Sequence, residues 1–333
     1  MKRSYVARAC LSLASLCLIG GATIAAQPQA ASPEILSLQV QLDRLGFGPG
    51  VIDGKKGMSL AGALRGFQKA NDLKVTGEPD PATIDAIKAK GAVPGVIEVT
   101  LTAAMLAGPF HAIPKKEGDQ AKLPALGYAN AMEKLGEMFH TTPAALIALN
   151  SPQTRVGVGA KIKVPNVLAA ERNYDPELKP DWRQTLDMLN VSSAQPKAAK
   201  IVVDKSDGVL MVYDEGDKLI AQFPATMGSG HDPLPIGSWK INGASYNPTF
   251  HYNPKLFWDA SSSDKKALLP PGPNGPVGVV WLDLSKEHYG IHGTPKPENI
   301  GRTESHGCIR LTNWDAARLA MMVKPGTPAI FQP

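Results

Sequence analysis

The 333-residue chain is 43% hydrophobic and 20% charged, which excludes wholesale disorder and leaves room for more than one domain. The formal charge is +5. Lys2, Arg3 and Arg8 lie in one N-terminal stretch without acidic residues, and removing it leaves +2, no footprint for nucleic acid. The 32 glycines and 29 prolines favour loop-rich, β-rich architecture over a helical bundle.

The first predicted element is a secretory signal peptide over residues 1–26. A basic start precedes an apolar run over 9–20 and then small residues. The run is shorter than the ~20 residues a membrane span needs, so cleavage near 22–31 is expected, with no transmembrane anchor afterwards. Leu16 before Cys17 speaks against a lipoprotein signal. Cleavage would also remove Cys10 and Cys17 and leave Cys308 as the one mature cysteine. A lone thiol in an oxidising compartment is either buried and inert or kept for chemistry.

Residues 34–90 read as a small three-helix module. Ile35, Leu38, Leu42 and Leu45 recur at helical spacing. Asp53-Gly54 marks a turn, Ser59 is a candidate cap for a helix facing inward through Leu60, Ala63, Leu64 and Phe67, and Asp80-Pro81 opens a third helix. With Leu45-Gly46-Phe47, Asp53-Gly54, Gly57, Phe67-Gln68 and Thr76-Gly77 in order, the module resembles the peptidoglycan-binding type 1 domain. Many of these are turn or core positions, so they speak for the fold more than for a ligand.

A proline-bearing linker is expected next, through Pro94, Pro109, Pro114 and Pro124. Within 120–166, two short helices over 131–139 and 143–149 precede a strand over 161–164. The phrase over 135–150, with its Asn150-Ser151-Pro152 turn, resembles a divergent LysM glycan-binding repeat. A second linker is expected over 167–198, with one amphipathic stretch over 182–189.

Residues 197–333 read as a mainly β domain. Strands over 201–204, 209–213 and 219–225 are joined by turns at Asp207-Gly208 and Glu215-Gly216-Asp217. Further strands are expected over 238–242 and 277–284, and a late helix is capped by Thr312 with Asp315 three residues on.

The chemistry concentrates over 291–313. His292-Gly293-Thr294 is followed, after a polar loop, by Ser305-His306-Gly307-Cys308-Ile309-Arg310. A cysteine nucleophile needs a thiolate, an imidazole to move its proton, a group that fixes the imidazole tautomer, and amides facing the oxyanion. Cys308, two histidines and the permissive Gly307 supply those parts, Arg310 offers charge for a carboxylate or for the loop, and Ser305 can hydrogen-bond locally. The same His292, His306 and Cys308 could ligate zinc, but no second cysteine or tight histidine pair accompanies them.

The paired motif resembles the signature of the YkuD-type L,D-transpeptidases, and Leu234-Pro235-Ile236-Gly237 and the loop 270–278 fit the same family, with Gly275 where an asparagine is common. The resemblance implies a β-sandwich with one or two helices. Cys308 would be the nucleophile and His292 the base and acid. The Gly293 carbonyl would orient the imidazole, and amides around Gly307 would face the oxyanion. His306, Ser305, Arg310 and Thr294 would shape the substrate site. It also implies cleavage of the diaminopimelate–D-alanine bond of tetrapeptide stems and transfer to an amine, with no metal or organic cofactor. Expected partners are peptidoglycan stem peptides and glycan strands, with an outer-membrane protein or lipoprotein as a further acceptor, in the periplasm at the cell wall. The competing readings are hydrolysis of the same thioester, as in an L,D-carboxypeptidase, and a non-enzymatic wall-binding scaffold. The loop over 247–276, with Phe257 and Trp258, is expected to act either as a lid that shapes acceptor choice or as a packed loop.

Overall fold

The computed structural model describes residues 30–258 and 260–333. The expected signal peptide, with Cys10 and Cys17, lies outside the described residues. Among the described residues no helix is long and apolar enough to cross a membrane.

The first module consists of α1 (Pro33–Arg44), α2 (Met58–Ala70) and α3 (Pro81–Ala89). The Ser32 hydroxyl caps α1 and the Asp80 carboxylate caps α3, each accepting a backbone N–H three residues on. Ser59 is not the cap of α2. That helix begins earlier, after an extended Gly57 that offers no side-chain cap, so Ser59 falls inside its first turn.

The proline-bearing stretch after α3 is no linker. It contains β1 (Val96–Thr100), then α4 (Glu117–Gln120), α5 (Ala131–Met138), α6 (Pro143–Leu149) and β2 (Lys161–Pro165). β1 pairs antiparallel with β2 across the whole unit, so the second module starts well before residue 120. The partner strands are some sixty residues apart in sequence, beyond the reach of local pattern reading. The second expected linker is also structured. α7 (Pro180–Met188) buries Trp182 and Leu186 completely in the catalytic core.

The C-terminal part comprises β3 (Lys200–Asp204), β4 (Val209–Tyr213), β5 (Leu219–Pro224), β6 (Thr226–Met227), β7 (Gly237–Tyr246), β8 (Phe250–Tyr252), β9 (Ala267–Leu269), β10 (Val280–Leu284), β11 (Gly290–His292), β12 (Ile309–Arg310), α8 (Asn313–Met322) and β13 (Pro328–Gln332). Nine of these strands form one sheet in the order β5-β4-β3-β13-β7-β10-β11-β12-β6. The long β7 serves two halves. Its first residues pair with β13 and its later ones with β10. A single apolar cluster collects Ile201, Leu210 and Phe331 from one half and Leu282, Ile291 and Ile309 from the other. The sheet therefore encloses its core as a sandwich, with α8 buried in it.

The outer face of β3–β5 is buried as well. Val202, Val209, Met211 and Leu219 pack with Leu60 and Phe67 of the first module in one cluster, which is why β4 reads as an unbroken apolar run. Buried charge completes the joint. Arg318 of α8 donates in a bidentate pair to Asp43 of α1 at 3.0 and 2.7 Å. His140, beyond α5, sets one ring nitrogen against Asp43 and the other against the Leu189 carbonyl, and stacks on Trp314.

Candidate active site

The site lies where two short strands meet. β11 and β12 run parallel, with Ile291 opposite Ile309 and His292 opposite Arg310. Both isoleucines point into the core, so His292 and Arg310 project from the other face. Cys308 immediately precedes β12. Its sulfur sits at the start of β11, 3.9 Å from the His288 carbonyl and bonded by the Gly290 backbone N–H. Ile309, next to Cys308, pairs with Ile291, next to His292, so the backbone sets the two residues in adjoining segments.

His292 is buried, and its Nδ1 lies 2.7 Å from the Gly293 carbonyl oxygen. A carbonyl accepts only, so Nδ1 carries the proton and Nε2 is left as the acceptor. Trp281 of β10, opposite His292 in register, stacks on the imidazole at 5.5 Å. Gly290 makes this fit possible, since a Cβ there would lie 2.3 Å from the Trp281 ring. Trp281 escaped the reading of the sequence. The signal was present in β10, where Leu282 and Leu284 point inward and Trp281 takes the alternate face.

The loop before Cys308 is clamped by Ser305. Its hydroxyl donates to the Cys308 carbonyl at 2.6 Å and accepts the Gly228 N–H at 2.7 Å. Ser305 is buried, and both of these hydrogen bonds hold the loop. Gly307 has φ +92, and a Cβ there would meet the Tyr289 ring at 2.6 Å. Both facts demand glycine. His306 lies against two aromatic rings of the excursion around β8 and β9, Phe257 at 5.1 Å and the exposed Trp258 at 5.9 Å. The stretch expected as a lid is therefore a two-stranded hairpin whose tip covers the nucleophile loop. Arg310 and the buried Thr294 border one cleft of about 220 Å³ with Lys296 and Thr303. Thr294 also accepts the Lys296 backbone N–H.

Burial, with Arg310 adding to it, pushes His292 down to about 3. Burial also raises the Cys308 thiol above its ordinary value, although the Gly290 N–H and Arg310 oppose this. Both shifts disfavour the charged forms, so burial works against the imidazole-stabilised thiolate that the sequence suggested. Among the described residues no group of three or more His, Cys, Asp and Glu is arranged to hold a metal ion.

Residues 198–331 match the YkuD family, described as "L,D-transpeptidase catalytic domain", and residues 31–87 match "Putative peptidoglycan binding domain". The chain is 29% identical over 204 residues to "Putative L,D-transpeptidase YkuD" of Bacillus licheniformis, covering 61% of this chain and 93% of that protein. It is 31% identical over 135 residues to "Probable L,D-transpeptidase YbiS" of Escherichia coli K12, covering 39% of this chain and 44% of that one. A solved L,D-transpeptidase from Mycobacterium smegmatis is 23% identical, covering 40% of this chain and 58% of its own with a TM-score of 0.33. Residues 198–331 are thus a YkuD-type L,D-transpeptidase catalytic domain, carried behind a peptidoglycan-binding domain over 31–87.

Proposed function

We propose that Cys308 is the nucleophile and His292 the general base and acid of an L,D-transpeptidase acting on peptidoglycan tetrapeptide stems. The observation that carries this reading is the anchored tautomer of His292, whose Nδ1 faces the Gly293 carbonyl, on the strand that pairs with the one directly after Cys308. Both groups rest neutral, so the thiol proton passes to Nε2 as the sulfur attacks. The sulfur adds to the carbonyl carbon at the L-centre of diaminopimelate, and amides around Gly307 and Cys308 receive the oxyanion. The C–N bond to D-alanine then breaks, and His292 gives the proton to the leaving amine. An acceptor amine attacks the thioester, loses its proton to His292, and returns the thiol.

Arg310, with Thr294 in the same cleft, suits a carboxylate of the stem. The exposed Trp258 over His306 suits the apolar stem of the diaminopimelate side chain. The acceptor is a second stem peptide or the amine of an envelope protein, and the enzyme works after export, at the wall. The pairing of β1 with β2 around α5 and α6, with the short α4 between β1 and α5, supports reading this unit as a LysM-like glycan binder.

The test is mass spectrometry of purified tetrapeptide muropeptides incubated with mature protein, beside Cys308→Ala. A dimer lacking one D-alanine, absent with Cys308→Ala, is the expected product. Tripeptide alone would replace transfer by hydrolysis, and unchanged tetrapeptide would defeat the reading.

A further inference from the structure

The second module does more than sit beside the catalytic domain. Its segment 126–137 lines the back of the active-site loops. Leu126 donates its N–H to the Pro271 carbonyl and accepts that of Asn274, each at 2.9 Å. Asn274 reaches Glu133 with its side-chain amide at 2.9 Å. A Cβ at Gly272 would lie 2.2 Å from the Leu126 carbonyl, so this approach exists only because residue 272 is glycine.

Glu137 goes deeper. Its carboxyl group is buried in α5 and receives the Asn313 side-chain N–H at 2.8 and 3.1 Å and the Tyr128 hydroxyl at 2.9 Å. Asn313 opens α8, and its other amide atom, Oδ1, accepts the Val279 N–H at 3.3 Å. The same oxygen would lie 1.9 Å from a Cβ at Gly278 and 2.1 Å from one at Gly293. Asn313 is thus wedged against the backbone of both glycines. The Gly293 carbonyl is the group that fixes His292. Four residues in direct succession therefore join a carboxyl of the second module to the imidazole.

We propose that Glu137 is a positioning residue for His292. It fixes the Asn313 amide, Asn313 fixes the Gly278–Val279 and Gly293 backbone, and the Gly293 carbonyl thereby keeps the imidazole in its productive tautomer and angle. The proposal rests on His292 as the base. It makes the second module part of the catalytic apparatus in addition to any glycan binding. The physical reason is accounting at a buried carboxamide. The Asn313 amide is held in one orientation only if both of its N–H donors find acceptors; the Pro273 carbonyl at 3.2 Å serves one from within the catalytic domain, and Glu137 serves the other from outside it.

The test compares full-length mature protein with Glu137→Ala, Glu137→Gln and Asp43→Asn. The last loosens the other buried joint between modules without touching the Asn313 route. Two readouts are taken. One is steady-state turnover on tetrapeptide stems. The other is the pH profile of Cys308 alkylation by iodoacetamide, which needs no natural substrate. Glu137→Ala is expected to lower kcat by about ten- to a hundredfold with KM changed less than about threefold, as for a catalytic group slightly misplaced, and to slow alkylation and alter its profile. Glu137→Gln keeps a carbonyl oxygen for Asn313 and is expected to recover most of both. Asp43→Asn is expected to lower the melting temperature and leave both readouts near wild type. A folded Glu137→Ala with wild-type kcat and alkylation overturns the proposal. So does a Glu137→Gln as impaired as the alanine variant, or an Asp43→Asn that loses activity to the same degree. If Glu137→Ala does not fold, Glu137→Leu fills the volume while still removing the acceptor, and is judged by the same criteria. Should wild-type protein prove inactive on stems, the alkylation comparison still decides the role of Glu137, while the proposed function alone falls.

Discussion

Two side chains set the acid–base behaviour of the site, and burial governs both. His292 is held down to about 3 from an ordinary 6.5, so its imidazole is a neutral base across the usual working range. A conventional histidine limb near 6.5 is therefore expected to be missing from the kcat/KM profile, with activity persisting to about pH 5. The sign for stability follows. Between 6.5 and about 3 the unfolded chain binds a proton at residue 292 that the folded chain does not, so this residue stabilises the fold above 6.5 and the contribution shrinks as pH falls. For Cys308 the raised thiol predicts alkylation still climbing past the ordinary thiol value of 9.0. A plateau in the rate near neutrality would show a preformed thiolate and overturn the neutral-pair description.

At the scale of elements, the contact between α2 and β5 shows how closely the first module is fitted. Gln222 of β5 donates its side-chain N–H to the Gly62 carbonyl of α2 at 2.7 Å. One turn on, a Cβ at Gly66 would lie 2.7 to 2.9 Å from that same carboxamide. Alanine ordinarily strengthens a helix relative to glycine by about 1 kcal/mol. Here Gly66→Ala would displace a buried amide from its acceptor, and a net loss of about 1–2 kcal/mol in urea unfolding is expected. A stabilised variant would mean that Gln222 can move aside freely. The hairpin β8–β9 is fixed differently, by aromatic contact at its tip. Phe257 lies edge-on to His306 and stacks on Tyr252, so closure over the nucleophile loop depends on rings rather than on strand pairing.

For the whole molecule, the catalytic domain is not a separable bead. Val202, Val209, Met211 and Leu219 are covered by the first module, Trp182 and Leu186 of α7 complete the main core, and the Asp43–Arg318 pair is buried with its neighbours. A fragment of 197–333 alone would expose an apolar sheet face and leave Arg318 without its carboxylate partner from α1, and such a loss is strongly destabilising. It is expected to be aggregated or molten, whereas a fragment from residue 30 onward folds. A monodisperse, active 197–333 fragment would refute this account of the modules.

Much of this architecture could be read from local pattern, because helix caps, turn glycines and alternating strands act over a few residues. The turns at Asp207-Gly208, the cap at Thr312 and the grouping of His292 with Cys308 are of that kind. What remained hidden depends on partners far along the chain. β1 passes for a linker until β2 is brought beside it. The interior role of α7 depends on a core assembled from later strands. The pKa of His292 follows from enclosure, which no motif encodes. The sequence by itself determined the type of catalytic domain and the residues proposed for its chemistry, since a nucleophile, a base and the glycine beside them must have fixed identities and spacing. Only the tertiary structure decided that the modules form one joined body, that Ser305 clamps the loop before Cys308, and that Glu137 reaches Asn313. Those facts arise from burial and hydrogen-bond satisfaction between segments distant in sequence, which exist only once the chain has packed.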